Sequence, residues 1–249
     1  MFFFTKPEYD EKIPLEAEVI RTIIKAIESA DFLFKDFMRE EDFNTDNGAD
    51  SFIWNFYNRA ITNALPADRF QIPVEQRGCW KFPEIYDKKT GYLYTLMREP
   101  RLAYLRNNAS SEMFHYTNVL SKLNDSLSDS YCLANEQMSL FETNYSPDDN
   151  DMLENILKSL TGQLDGTVNR YVLIAFNIVH GQVSMIKGVV PAIGMQYFNE
   201  EMWTDLKQVT YPDTGEDVQP ADNDSIILLE RKPNVHRKAK HDAEKEINN

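Results

Sequence analysis

Two apolar runs, Arg170 to Val179 and Gln182 to Val190, are separated only by His180-Gly181. A two-residue link closes a β-hairpin only through backbone angles that glycine adopts freely and histidine tolerates, so it sets the register of both strands. His180 therefore reads as a turn residue and not as a base.

A second strand pair is expected at Trp80 to Tyr86 and Tyr92 to Arg98, joined by Asp87-Lys88-Lys89-Thr90-Gly91, whose glycine suits a positive-φ turn position. Trp80, Phe82 and Tyr86 fall on one face and Ile85 on the other, so both sides carry apolar groups and the hairpin is expected inside the molecule. Ser225 to Glu230 is a further strand; its unbroken Ile226-Ile227-Leu228-Leu229 fits a strand covered on both faces.

Helices are expected around these strands. Leu15, Val19, Ile20, Ile23, Ile24 and Ile27 recur at helical spacing, and Phe32, Phe34 and Phe37 continue the packing. Asn47-Gly48 marks a loop, after which Ser51 is the expected cap of a helix that Pro66 ends. A short helix is predicted over Arg101 to Arg106, a longer one over Phe114 to Leu127, and another short one after Asn199. The clearest helix follows Ser146: Pro147 stands at its first position, Asp148 and Asp149 sit where the dipole favours anions, and Gly162 ends it. The fold class is therefore α+β, with helices packed on a mainly antiparallel sheet that holds both hairpins and the C-terminal strand. One domain is expected over residues 1–230, with 128–145 as the candidate join between two halves, and a charged flexible tail over 231–249.

The 249 residues carry 26 basic and 40 acidic side chains, a net charge of −14, with 42% hydrophobic content. That hydrophobic share belongs to a chain that folds. The acidic balance opposes generic nucleic-acid binding, which draws its affinity from Lys and Arg displacing counterions from phosphates. The tail is the local exception at +3, leaving −17 on the other 230 residues. Cys79 and Cys132 are too few for a disulfide framework, and reducing cytoplasm is the expected location. Met1-Phe2-Phe3-Phe4 lacks the charge and length of a secretory signal, and no run approaches membrane-spanning length.

Catalytic patterns are sparse. Neither G-x-x-x-x-G-K-S/T nor G-x-G-x-x-G occurs, and no G-x-S-x-G offers a nucleophile. His115, beside Phe114 and Tyr116, reads as a packing or capping residue. Glu230-Arg231-Lys232 matches the E-x-K spacing of restriction-endonuclease-like sites, where alternate residues present a carboxylate to a divalent metal and an ammonium to phosphate. Asp213, Asp217, Asp222 or Asp224 would complete it. A second such set, Asp87 with Glu99-Pro100-Arg101, has proline where the strand needs to continue. The remaining polar concentration is Arg98, Glu99, Arg101 and Arg106, just after the aromatic hairpin. It has two uses. Arg98, Arg101 and Arg106 can bind a partner, or the group can fasten the next helix to the sheet by ion pairs. Trp54, Trp80 and Trp203 read as core or boundary residues.

The stretches Gly78-Cys79-Trp80-Lys81-Phe82, Thr90 to Glu99 and Tyr171 to Phe176 resemble an uncharacterised bacterial family. The resemblance implies an accessory-genome protein of the sort linked to phage defence or toxin–antitoxin pairs, and carries no catalytic residue with it. The leading functional expectation is a cytoplasmic interaction or regulatory protein. It binds another macromolecule, a protein, through its acidic surface and the hairpin-end arginines, with no cofactor and no metal. The alternative is a divalent-metal-dependent nuclease built on Glu230, Lys232, Asp213 and Asp217.

Overall fold

The structure is a computed structural model, and it describes residues 7–133 and 146–207. Two helices, α1 (Ala17–Glu40) and α2 (Ala49–Ala64), come first. Five strands follow: β1 (Phe70–Gln71), β2 (Val74–Arg77), β3 (Trp80–Pro83), β4 (Ile85–Asp87) and β5 (Tyr92–Arg98). Then come α3 (Glu99–Asn107), α4 (Tyr116–Ser121), α5 (Pro147–Thr161), β6 (Arg170–Val179), β7 (Gln182–Pro191) and β8 (Tyr197–Met202).

Six strands form one sheet in the order β1-β4-β5-β6-β7-β8, while β2 and β3 pair separately. Both hairpins, β4–β5 and β6–β7, lie in the main sheet, and one parallel pairing joins them, β5 to β6, from Tyr92↔Arg170 to Arg98↔Phe176. The other pairings of that sheet are antiparallel, so the fold is α+β with a mainly antiparallel sheet. A parallel pair needs a crossover, and this one contains α3, α4 and α5.

Period-two alternation divides the core. Tyr92, Tyr94 and Leu96 of β5 and Val172, Ile174 and Phe176 of β6 pack with α1 and α2. Their neighbours Leu93, Met97, Tyr171, Leu173 and Ala175 pack with α3, α4 and α5. Helices thus cover both faces of the central strands, as expected for strands apolar on both sides.

The hairpin link takes the predicted form, with φ of +53° at His180 and +84° at Gly181. Gly91 likewise has φ of +72° at the end of the β4–β5 turn. α5 has its Ser146 cap, with the Asp149 N–H donating to Ser146 Oγ and the Asp149 carboxylate accepting from the Ser146 N–H and hydroxyl.

Four expectations are corrected. Trp80 to Tyr86 is not one strand: Pro83 has no N–H for a ladder, the Glu84 N–H donates to Pro73 O, and the chain passes from the β2–β3 sheet to the main one. α2 starts at Ala49 behind Gly48, whose φ of +82° turns the chain, so Ser51 is not the cap. The predicted Phe114 to Leu127 helix is α-helical only to Ser121 and tightens to a 3-10 helix over Lys122–Leu127. Asn199 begins no helix; it lies within β8, where pairing with β7 overrides the local capping pattern. The expected strand at Ser225 to Glu230, the tail and most of 128–145 lie outside the described residues.

Asn124 ties that 3-10 segment to the sheet. Its fully buried amide donates to Tyr171 O (2.9 Å) and Pro191 O (2.8 Å), and its oxygen accepts from Tyr171 N–H (3.0 Å). Asn124→Ala leaves these backbone groups buried without partners, and a loss of about 3 kcal/mol is expected in urea unfolding of the purified protein. An unchanged midpoint would contradict the role.

Candidate functional site

β5 ends at Leu96-Met97-Arg98 and leads directly into α3, so the strand's carboxyl end carries Arg98 and, one helical turn on, Arg101. Facing them is the side of α2 that bears Asp50, Ser51, Trp54 and Asn58. β3 adds Trp80 and Phe82, the end of β2 adds Arg77, and the start of α4 adds His115 and Tyr116. Together they enclose a cavity of about 460 Å³, which falls in the range of small-molecule sites. A larger depression of about 530 Å³ between β2 and α5 is lined mostly by exposed residues.

Aromatic rings make the cavity's walls. Trp54 and Trp80 meet edge to face at 6.0 Å and 82°, and Phe82 stacks on Tyr116 at 4.0 Å. The charged groups are three arginines against one acid, Asp50, in a chain whose net charge is −14. Arg98 donates from Nη2 to the Tyr57 hydroxyl (3.3 Å) and lies 3.9 Å from Asp50, while its Nε is buried with no acceptor. Arg101 reaches Glu112 at 3.5 Å and packs over the Tyr104 ring, yet stays half-exposed. Arg77 donates weakly to Phe114 O at 3.4 Å. The first turn of α3 adds the positive end of a helix dipole.

His115 caps α4 by accepting the Thr117 N–H at Nδ1 (3.3 Å). Burial, and then the nearby Arg101 charge, pull its pKa down to about 4, so the ring is neutral at pH 7. With Nδ1 accepting, Nε2 carries the proton and is a neutral donor. The capping role read from the sequence is thus present, in a residue that also lines the cavity.

The four polar residues after the hairpin divide between the two faces of α3. Arg98 and Arg101 face the cavity. Glu99 and Arg106 face the sheet, where buried Lys187 of β7 lies 3.1 Å from Glu99 and 3.3 Å from Glu200 of β8. Arg106 pairs with Glu200 and lies over the Tyr197 ring. The ion-pair reading therefore describes Glu99 and Arg106, and only two of the three proposed partner-binding arginines share a cavity.

Asp87 does not join Glu99. It sits before the opposite end of β5, held by Arg69 at 2.8 and 3.1 Å. Glu230, Lys232, Asp213, Asp217, Asp222 and Asp224 lie outside the described residues. Among the described residues, no three His, Cys, Asp or Glu side chains gather to hold a metal ion, and no helix is long and apolar enough to cross a membrane. Sequence reading missed Trp54, Trp80 and Asn58 as lining groups. The available signal was Trp54, which helical spacing sets to one side of the Ile53, Tyr57, Ala60 and Ile61 stripe. Trp203, by contrast, is a core residue as read.

Beside the cavity wall, Glu84 is fully buried and neither carboxyl oxygen has a hydrogen-bond partner. Burial, helped by the Glu75 charge, pushes its pKa from 4.5 up to about 8. Below about pH 4.5 the group is neutral in folded and unfolded chains alike, and folding carries no penalty from it. From there to about pH 8 only the unfolded chain releases the proton, so Glu84 lowers stability by up to ~1.4 kcal/mol per pH unit. Glu84→Gln should abolish that slope, its advantage over the native chain growing between pH 5 and 8 in urea titrations. A constant difference across that range would contradict the assignment.

No curated protein and no solved structure matches the chain. A family model does, over residues 12–248, in keeping with the resemblance read from the sequence: the chain belongs to the family of unknown function DUF5986.

Proposed function

We propose that this protein works by recognition, and that the cavity at the carboxyl end of β5 takes an anionic group carried on a flat apolar body. The observation that carries the reading is Arg98. Its guanidinium has the Tyr57 hydroxyl at 3.3 Å and the exposed Asp50 carboxylate at 3.9 Å, and it lines a cavity that Arg77 and Arg101 also line. A guanidinium presents donors in a fixed fork that matches the oxygens of a carboxylate or phosphate, and such charge-assisted bonds are about twice as strong as neutral ones. The aromatic walls supply the complementary term, since burying a ring against Trp54, Trp80 and Phe82 removes apolar surface from water.

The reading narrows the expected macromolecular partner to what it must present. The sequence offers an acidic surface and a cluster of arginines, and it is the arginines that line a concavity. Long-range repulsion by the net negative chain is screened within about 8 Å at physiological salt, so a local anion site is compatible with it. A bacterial cytoplasmic setting belongs to the same proposal; the two cysteines, Cys79 and Cys132, are both free.

Two of the three tryptophans line the cavity, so intrinsic fluorescence reports occupancy. Benzoate and phenyl phosphate should change it saturably. Arg101→Ala should weaken binding by about tenfold, the worth of a charge-assisted hydrogen bond. Arg98→Lys should do the same, because the charge remains while the fork is lost. The reading fails if neither probe gives a saturable signal, or if both variants bind as the native chain does.

A further inference from the structure

Resting on the binding reading above, we infer that the cavity's ligand is a nucleoside monophosphate, its phosphate held by Arg98 and Arg101 and its base set against Trp54 with its edge toward Asn58. The polar groups of the cavity differ in kind. Arg98, with the Tyr57 hydroxyl 3.3 Å and Asp50 3.9 Å away, and Arg101 supply charged donors suited to phosphate oxygens. Asn58, on the same side of α2 as Asp50 and Trp54, is a neutral amide with one acceptor and two donors. Asp50 and Asn58 stand eight residues apart on α2, about 12 Å along its axis. Trp54 lies midway between them.

A ligand that fits therefore has an anionic group and a flat ring with hydrogen-bonding edges. A nucleotide has this layout. An aromatic carboxylate or a phenyl phosphate meets the arginines and the ring site but leaves Asn58 unused. An extended acidic peptide would bring its own N–H and C=O groups into the cavity. Asn58 and Ser51 are the neutral amide and hydroxyl on the α2 wall, too few to satisfy them. Polymeric nucleic acid draws its affinity from many phosphate contacts, which this acidic chain opposes, whereas a monomer needs one cluster. The edge-to-face corner of Trp54 and Trp80 gives a base one stacking wall and one edge wall. Neutral His115 adds a donor that suits a phosphate or sugar oxygen.

The experiment is a calorimetric titration of the full chain with AMP, GMP, CMP and UMP, and in parallel with adenosine, inorganic phosphate, phenyl phosphate and phosphotyrosine. At least one nucleotide should bind about tenfold more tightly than adenosine, phosphate or phenyl phosphate, because only it brings both an anion for the arginines and a base edge for Asn58. Arg98→Lys should weaken that nucleotide about tenfold and leave adenosine unchanged. Trp54→Leu should weaken nucleotide and adenosine together. Asn58→Ala should flatten the preference among the four bases, a readout that a merely structural role would not move. Phenyl phosphate or phosphotyrosine binding as tightly as every nucleotide overturns the nucleotide assignment and leaves the anion pocket standing. Absence of saturable binding by all the probes overturns both.

Discussion

The parallel pairing of β5 with β6 is the constraint on which the rest of the structure depends. Two antiparallel hairpins could have made separate small sheets, but seven registered pairs from Tyr92↔Arg170 to Arg98↔Phe176 weld them into one. Because parallel neighbours cannot be joined by a tight turn, α3, α4 and α5 must travel from the end of β5 back to the start of β6. They bury the Leu93, Met97, Tyr171 and Leu173 face, while α1 and α2 bury the other. The same geometry makes the cavity. The carboxyl end of β5 is where the chain leaves the sheet, and the opening between the departing α3 and the α2 wall is lined by whatever side chains end the strand.

Those side chains are sorted by helical period. Arg98 and Arg101 lie near one another around the start of α3, whereas Glu99 and Arg106 come round to the sheet side. There they meet Lys187 and Glu200 in a set of two positive and two negative charges. Partly burying four charges is not by itself strongly stabilising, since desolvation offsets much of the attraction. Its effect is on placement: α3 cannot slide or rotate without separating Glu99 from Lys187 or Arg106 from Glu200. Arg98 and Arg101 are thus presented by a helix whose orientation is fixed from behind, and preorganisation of this kind lowers the cost of binding.

Much of this was legible from the chain. The β6–β7 hairpin could be read because a two-residue link leaves it one register, and α5 because cap, first-turn charge and apolar face agree. The arginine cluster was legible as a cluster. What could not be read was its division, which depends on Lys187 and Glu200 arriving from strands some 90 to 100 residues away. β8 escaped detection for a similar reason, since Asn199 with two following acids is a good local helix start that loses only to the open edge of β7. The cavity itself was invisible: Trp54 and Trp80 stand on different elements, and their meeting follows from the sheet switch at Pro83-Glu84, where a backbone bond to Pro73 redirects the chain.

The central claim is that the opening at the end of β5, and no other surface of the described molecule, is where this protein meets its ligand. Amide hydrogen exchange with and without a saturating concentration of the probe that binds most tightly tests it most directly. The account predicts added protection confined to residues 50–58, 77–83, 96–101 and 115–116, the segments that line the cavity. Protection appearing instead along residues 148–160, which line the depression beside α5, or nowhere at all, would contradict it.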